Sequence, residues 1–213
     1  MDIIAMRAGR RLRAVALWGV LGLTAVSSHA SAASPAETLV REQTDKVMGV
    51  LHAEQARLAD EPEIIYKVVD EYIAPHFDLD RMSRRVLGKY WRAATDEQRA
   101  RFIQEFRTLL TRTYATALRE YSDETVSFLP STLREDRNEI SVRTQINLSD
   151  GPAIPITYEM YADGDVWKVY DVSIEGVSLV INYRSTFAAE VRKGGIEGLI
   201  ARLEEHNKER ASR

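Results

Sequence analysis

His76, Asp78 and Asp80 fall together in the run His76-Phe77-Asp78-Leu79-Asp80. A histidine flanked by carboxylates can hold a divalent metal or relay a proton. The same run also reads as a helix start. Asp78 is an N-cap residue type, and Asp80 falls in the first turn, beside the positive end of the helix dipole. No second ligand cluster is visible to complete a metal site. His29 lies in the N-terminal segment, and His52 and His206 lie on polar helical stretches. The 31 acids beyond residue 32 offer many carboxylate pairs, but no spacing singles one out. Asp171, on an apolar strand, is the best candidate for a buried acid with a raised pKa; a hydrogen-bonded structural carboxylate is the alternative. There is no G-x-S-x-G, no H-E-x-x-H and no phosphate-cradling glycine loop. Cysteine is absent, which removes thiol nucleophiles and disulfides. Asn147-Leu148-Ser149 matches a glycosylation sequon by chance at a turn.

The N-terminus reads as an export signal. Arg7, Arg10, Arg11 and Arg13 precede an apolar run from Ala14 to Val26, and small-x-small cleavage options end at Ala30 or Ala32. That run is too short to span a bilayer. Cleavage after Ala32 leaves residues 33–213 as one domain. It removes four Arg and one Asp, taking the formal charge from −3 to −6. An acidic balance without a basic stripe argues against nucleic acid and against standing adsorption to anionic membranes. The exported chain is expected to be soluble and periplasmic.

The elements that must position any site follow in order. Ser34-Pro35-Ala36-Glu37 is a capping box opening a long helix with apolar residues from Leu39 to Leu58. Ile64, Ile65, Val68, Val69, Tyr72 and Ile73 give a second helical stripe, ended by Pro75. Asp78 caps a short helix from Leu79 to Leu87, closed by Gly88. Thr95-Asp96-Glu97-Gln98 opens the clearest helix, about Asp96 to Tyr121. Its apolar side carries Phe102, Phe106, Leu109, Leu110, Tyr114, Ala117, Leu118 and Tyr121. The period then changes to alternation. Strands are expected at Val126–Leu129, Glu139–Asn147, Pro152–Tyr161 and Val166–Ile174, with turns at Ser149-Asp150-Gly151 and Asp163-Gly164-Asp165. Helical segments Ser185–Arg192 and Ile196–Asn207 close the chain. The order predicts an α+β fold: helices, a strongly twisted antiparallel sheet of four to five strands, then a C-terminal helix.

The stretch WKVYDVSIEGVSLVINYRSTF, Trp167 to Phe187, is central to this plan. It reads as a strand with Val166, Lys168, Tyr170, Val172 and Ile174 on one side. A glycine kink at Gly176 and a second apolar run, Val177 to Ile181, follow. WKVYDV, EGVSLV and NYRSTF resemble the signature of the MlaC (toluene-tolerance, Ttg2-type) family, which usually has Gln where Thr186 stands. FDLDRMSRRVLGKYWR, Phe77 to Arg92, and the block Thr95 to Tyr121 resemble the same family in the same order. The likeness covers roughly Val40 to Leu203.

The residues alone favour a filled core, and their periodicity does not distinguish it from a hollow one. The resemblance implies the hollow one: a cone like that of nuclear transport factor 2, extended by helices, with an apolar cavity between sheet and helices. Its expected lipid-binding lining is Met82, Val86 and Leu87, then Phe102, Phe106, Leu110 and Tyr114 along the long helix. Val142, Ile156, Tyr158, Tyr170 and Val172 join from the sheet, with Val177, Leu179, Ile181 and Tyr183 from the kinked segment. The resemblance further implies a periplasmic phospholipid carrier with lipid as cargo and no cofactor. Its partners would be an inner-membrane ABC transporter with an MCE-domain subunit and an outer-membrane lipoprotein–porin complex. Head groups would stay at the rim, where Arg143 and Arg184 are candidates. A hydrolase or isomerase on the same cone, or a structural subunit with a filled core, are the competing readings.

Overall fold

The computed structural model describes residues 33–134 and 138–211. The expected signal peptide, residues 1–32, lies outside them. Helix α1 (Pro35–Ala53) starts where Ser34 accepts from the Glu37 N–H at 3.1 Å. Helix α2 (Glu63–Val68) continues as a π-helical stretch, Val69–Ile73, and a 3₁₀ turn, Ala74–His76, that absorbs Pro75. Helix α3 (Leu79–Leu87) is capped by Asp78, which accepts from the Arg81 N–H at 2.8 Å. Asp78 Oδ2 also accepts from the Tyr161 hydroxyl at 2.5 Å. The HFDLD run is therefore a helix start. A short α4 (Lys89–Ala93) leads to α5 (Asp96–Glu120), whose capping box pairs Thr95 with Gln98 at 3.1 Å in both directions.

Five antiparallel strands follow in the spatial order of the chain: β1 (Thr125–Arg134), β2 (Glu139–Asn147), β3 (Ile154–Asp163), β4 (Val166–Ile174) and β5 (Val177–Ser178). β1 runs further than its apolar residues suggest. It passes through Pro130 with a register shift between Leu129 and Thr132, which an edge strand tolerates.

The alternation expected along β4 is broken by a bulge. Glu159 pairs with Asp171 while Met160 pairs with Val169, so Tyr170 is an extra residue on its strand. A one-residue slip moves every side chain before it to the other face. Trp167 and Val169 therefore face the helices together with Val172 and Ile174, and Lys168 turns outward to donate to the Pro75 carbonyl at 2.7 Å.

The second apolar run does not continue as a strand. Glu175 and Gly176 both have positive φ, 52° and 80°, as in a two-residue type I′ hairpin turn. Helix α6 (Leu179–Ala211) then begins six residues earlier than expected. Ser178 and Asp171 set that start. The Ser178 oxygen accepts from the Ile181 N–H at 3.1 Å and donates to Asp171 at 2.5 Å. Asp171 also accepts from the N–H groups of Val172, at 2.8 Å, and Val180, at 3.1 Å. Asp171 is thus a structural carboxylate at a helix N-terminus, where it accepts from three donors. α6 runs through Gly194 without a break and kinks only at Gly195 (φ 69°).

Apart from its two chain neighbours, no atom of the described residues lies within 4 Å of where a Cβ would stand at Gly176, so its requirement is purely conformational. Gly176→Val should lower stability by about 1–3 kcal/mol through strain at positive φ. Thermal unfolding should register that loss. A variant as stable as the parent would contradict this account of the turn.

Three buried clusters result. One joins α3, α5 and α6 through Val86, Leu87, Phe102, Phe106, Phe187 and Leu199. A second sits on the sheet around Ile140, Val142, Met160 and Val169. A third packs α1 and α2 on Ala115 of α5.

Candidate functional site

Between the sheet, α1, α5 and the Val69–Phe77 segment lies a predominantly apolar cavity of about 480 Å³. That is about three times the 150 Å³ of an apolar cavity that takes up benzene. Each wall follows from a local pattern. α1 contributes Leu39, Val40, Gln43, Thr44, Val47 and Met48, one helical face. α5 contributes Leu110, Tyr114, Ala117 and Leu118, followed by Tyr121 just past its end. β3 contributes Ile154, Ile156, Tyr158 and Met160 by strict alternation. The bulge delivers both Val169 and Val172 from β4.

The cavity has a floor and a rim. Met82, Met160 and Val169 at one end are 0%, 0% and 3% exposed. At the other end Tyr121, Val126, Ile146, Ile154 and Ile174 keep accessible surface, and Glu175 is exposed. Val126, Ile146, Ile154 and Ile174 come from the same end of four paired strands, Val126 opposite Ile146 and Ile146 opposite Ile154.

Polar groups on the walls are few and mostly neutral. Burial pushes the Tyr158 phenol above its usual pKa, with the Thr144 hydroxyl beside it acting the other way. Burial, with Tyr183 beside it, raises Tyr114 well above the phenol range. Both remain uncharged phenols at neutral pH. His76 borders the cavity, and burial, then the charges of Lys168 and Lys46, hold its pKa below the ordinary value. A depressed histidine favours the folded state only while neutral, so stability should fall as pH drops below about 6.5 through the folded-state value. NMR titration should place the His76 midpoint below that of a model imidazole, and His76→Gln should flatten the acid-side decline. A midpoint at or above the model value would refute it. Arg107 is the cation on the wall among the described residues, and it donates to Asp70 at 2.6 Å.

The family model described as MlaC protein matches residues 41–205, more than half of the chain. The chain belongs to the MlaC family. The Haemophilus influenzae intermembrane phospholipid transport system binding protein MlaC is 28% identical over 189 residues, covering 87% of this chain and 88% of that protein. The Pseudomonas putida toluene tolerance protein ttg2D is 28% identical over 165 residues, covering 77% of this chain and 76% of that protein. Among solved structures, the phospholipid-binding protein from Ralstonia solanacearum, in complex with a phospholipid, superposes with a TM-score of 0.77 at 30% identity. That likeness covers 84% of this chain and 99% of the Ralstonia chain.

Within this MlaC-family chain the structure brings Met82, Leu110, Tyr114, Ile156, Tyr158, Val172 and Leu179 together on the cavity wall. The other expected lining residues sit elsewhere. Phe102 and Phe106 are fully buried against α6, Phe106 meeting Tyr183 at 5.3 Å and Phe187 at 5.9 Å. Val86 and Leu87 fill the same helical cluster. Tyr183 packs there too and against the edge of the sheet cluster, beside Tyr114, without lining the cavity itself. Val142 is 0% exposed within the sheet cluster. Tyr170, displaced by the bulge, is flanked by the guanidinium groups of Arg81 at 4.4 Å and Arg85 at 4.3 Å. Val177 and Ile181 are 57% and 67% exposed, because the hairpin and the early helix turn them outward.

Neither candidate rim cation reaches the cavity. Arg143 is exposed on the outer face of β2, and Arg184 lies across Gly88, its Nη2 3.2 Å from a Cβ placed there. Residues missed from sequence include the α1 face and the Val69–Phe77 segment. Their helical periodicity is visible, but nothing in it says whether the face meets protein or empty space. Among the described residues no group of His, Cys, Asp or Glu could hold a metal ion, and no helix is long and apolar enough to cross a membrane.

Proposed function

We propose that this chain is a periplasmic carrier that holds the acyl chains of a phospholipid in the cavity described above. It ferries the lipid between an outer-membrane lipoprotein–porin complex and an inner-membrane ABC transporter with an MCE-domain subunit, and so serves outer-membrane lipid asymmetry. Residues 1–32 act as the cleavable export signal. The observation that carries the reading is the unfilled apolar cavity on a fold shared with a protein solved in complex with a phospholipid.

The physics favours a carrier. Two acyl chains hold about 30 CH₂ groups, and exposing them to water costs roughly 24 kcal/mol at ~0.8 kcal/mol each. A hollow protein exchanges hydrocarbon for hydrocarbon, so uptake needs no energy source within this chain. The acids best placed for catalysis are already committed: Asp171 caps α6 and Asp78 caps α3. This supports a binding role without catalysis.

Native mass spectrometry of protein purified without detergent tests the reading. The expected spectrum carries the added mass of one phospholipid. A spectrum of bare protein, from cells whose membranes contain ordinary diacyl phospholipids, would count against it.

A further inference from the structure

Beside the apolar cavity, between α2 and α5, lies a second cleft of about 330 Å³, and it is polar. Its lining is Tyr66 and Asp70 from the α2 side, and Gln104, Arg107, Thr108, Thr111 and Arg112 from α5. The α5 residues recur at i, i+3, i+4, i+7 and i+8, one continuous face of the helix. Arg107 and Thr111 border both spaces, so the cleft adjoins the cavity wall.

Its charges are unbalanced. Asp70 pairs with Arg107 at 2.6 Å, which leaves Arg112 without a counter-ion in the cleft. Arg112 Nη1 is buried and has no hydrogen-bond partner among the described residues. A buried, unsatisfied guanidinium nitrogen is costly and calls for an acceptor. Two guanidinium groups and one carboxylate leave one net positive charge, the complement of one phosphodiester. Arginine donors suit phosphate oxygens because of their planar, forked geometry. The Tyr66 and Thr111 hydroxyls and the Gln104 amide add neutral donors around the same space.

We propose that this cleft is a phosphate-binding subsite, in which Arg112 and Arg107 receive the phosphodiester of the lipid whose chains fill the adjoining cavity. The assignment rests on the carrier reading above. Asp70 holds Arg107 in the empty state, and the arriving phosphate competes for it. The subsite recognises phosphate rather than any particular head-group alcohol.

Delipidated full-length mature protein is offered phosphatidylglycerol or diacylglycerol with identical acyl chains, and lipid per folded molecule is counted. The parent should prefer phosphatidylglycerol by about tenfold, the effect of a charge-assisted hydrogen bond. Arg112→Gln should bring the ratio close to one without lowering diacylglycerol uptake. An unchanged ratio in folded Arg112→Gln overturns the proposal. Asp70 is exposed, so Asp70→Asn serves should the first variant not fold: it should raise the preference, and no rise overturns the proposal. Titration with inorganic phosphate separates the sources. Phosphate bound through Arg112 without any lipid preference assigns the cleft to free phosphate and removes the lipid assignment. Uptake of neither lipid defeats the carrier reading and this assignment together, whereas equal uptake of both defeats this assignment alone.

Discussion

Leu110→Asp should leave a folded protein that no longer retains lipid. Leu110 lies on the cavity wall and packs at the edges of both the helical and the sheet clusters, without being sealed in either. An aspartate there reaches the empty volume, so the apo fold can hydrate it. Acyl chains would have to strip that water and leave a carboxylate in hydrocarbon, which costs several kcal/mol. Lipid retention should therefore fall roughly a hundredfold or more. Native mass spectrometry of detergent-free protein, with circular dichroism to confirm the fold, reads this directly. A folded variant carrying as much lipid as the parent would show that Leu110 does not touch the cargo.

Phe106→Ala should do the opposite. Phe106 is fully buried, stacked on Phe102 at 5.7 Å and edge-on to Phe187 and Tyr183. Removing such a ring costs about 3–5 kcal/mol, a large part of the 5–15 kcal/mol that a domain has. For a domain of this size the melting temperature should fall by roughly 6–20 °C. Lipid per folded molecule should stay at the parental level, because the ring faces α6. Retained stability with emptied protein would move Phe106 from the core to the wall.

The two residues stand one helical turn apart, which is why the sequence groups them. A row at i, i+4, i+8 looks like a single face, but each step advances about 40° around a helix of 3.6 residues per turn. Across the twelve residues from Phe102 to Tyr114 the drift reaches about 120°. α5 uses that drift to serve two surfaces, packing on α3 and α6 at its start and facing the cavity toward its end. Periodicity alone fixes the helix and not the partner on each part of its circumference.

The caps at Ser34, Asp78 and Thr95, the long helix, strands β2, β3 and β4 and the antiparallel order are all written locally. Capping groups act within one turn and alternation within one strand, so neighbouring residues carry that information. The same holds for the β3 wall, where Ile154, Ile156, Tyr158 and Met160 all meet the cavity as their alternation predicts. Three features needed the folded chain. The β4 bulge at Tyr170 depends on how β4 registers against β3, and it alone decides that Val169 faces inward. The early start of α6 depends on Asp171, seven residues upstream, reaching Ser178 and Val180 across a hairpin. The cleft at Arg112 depends on α2 coming to lie beside α5, far apart in sequence. The amino-acid order determined which segments are helix, which are strand and which faces avoid water. Whether those faces meet side chains or an empty volume was decided only by tertiary packing, because apolar residues lining a void and apolar residues filling a core obey the same spacing.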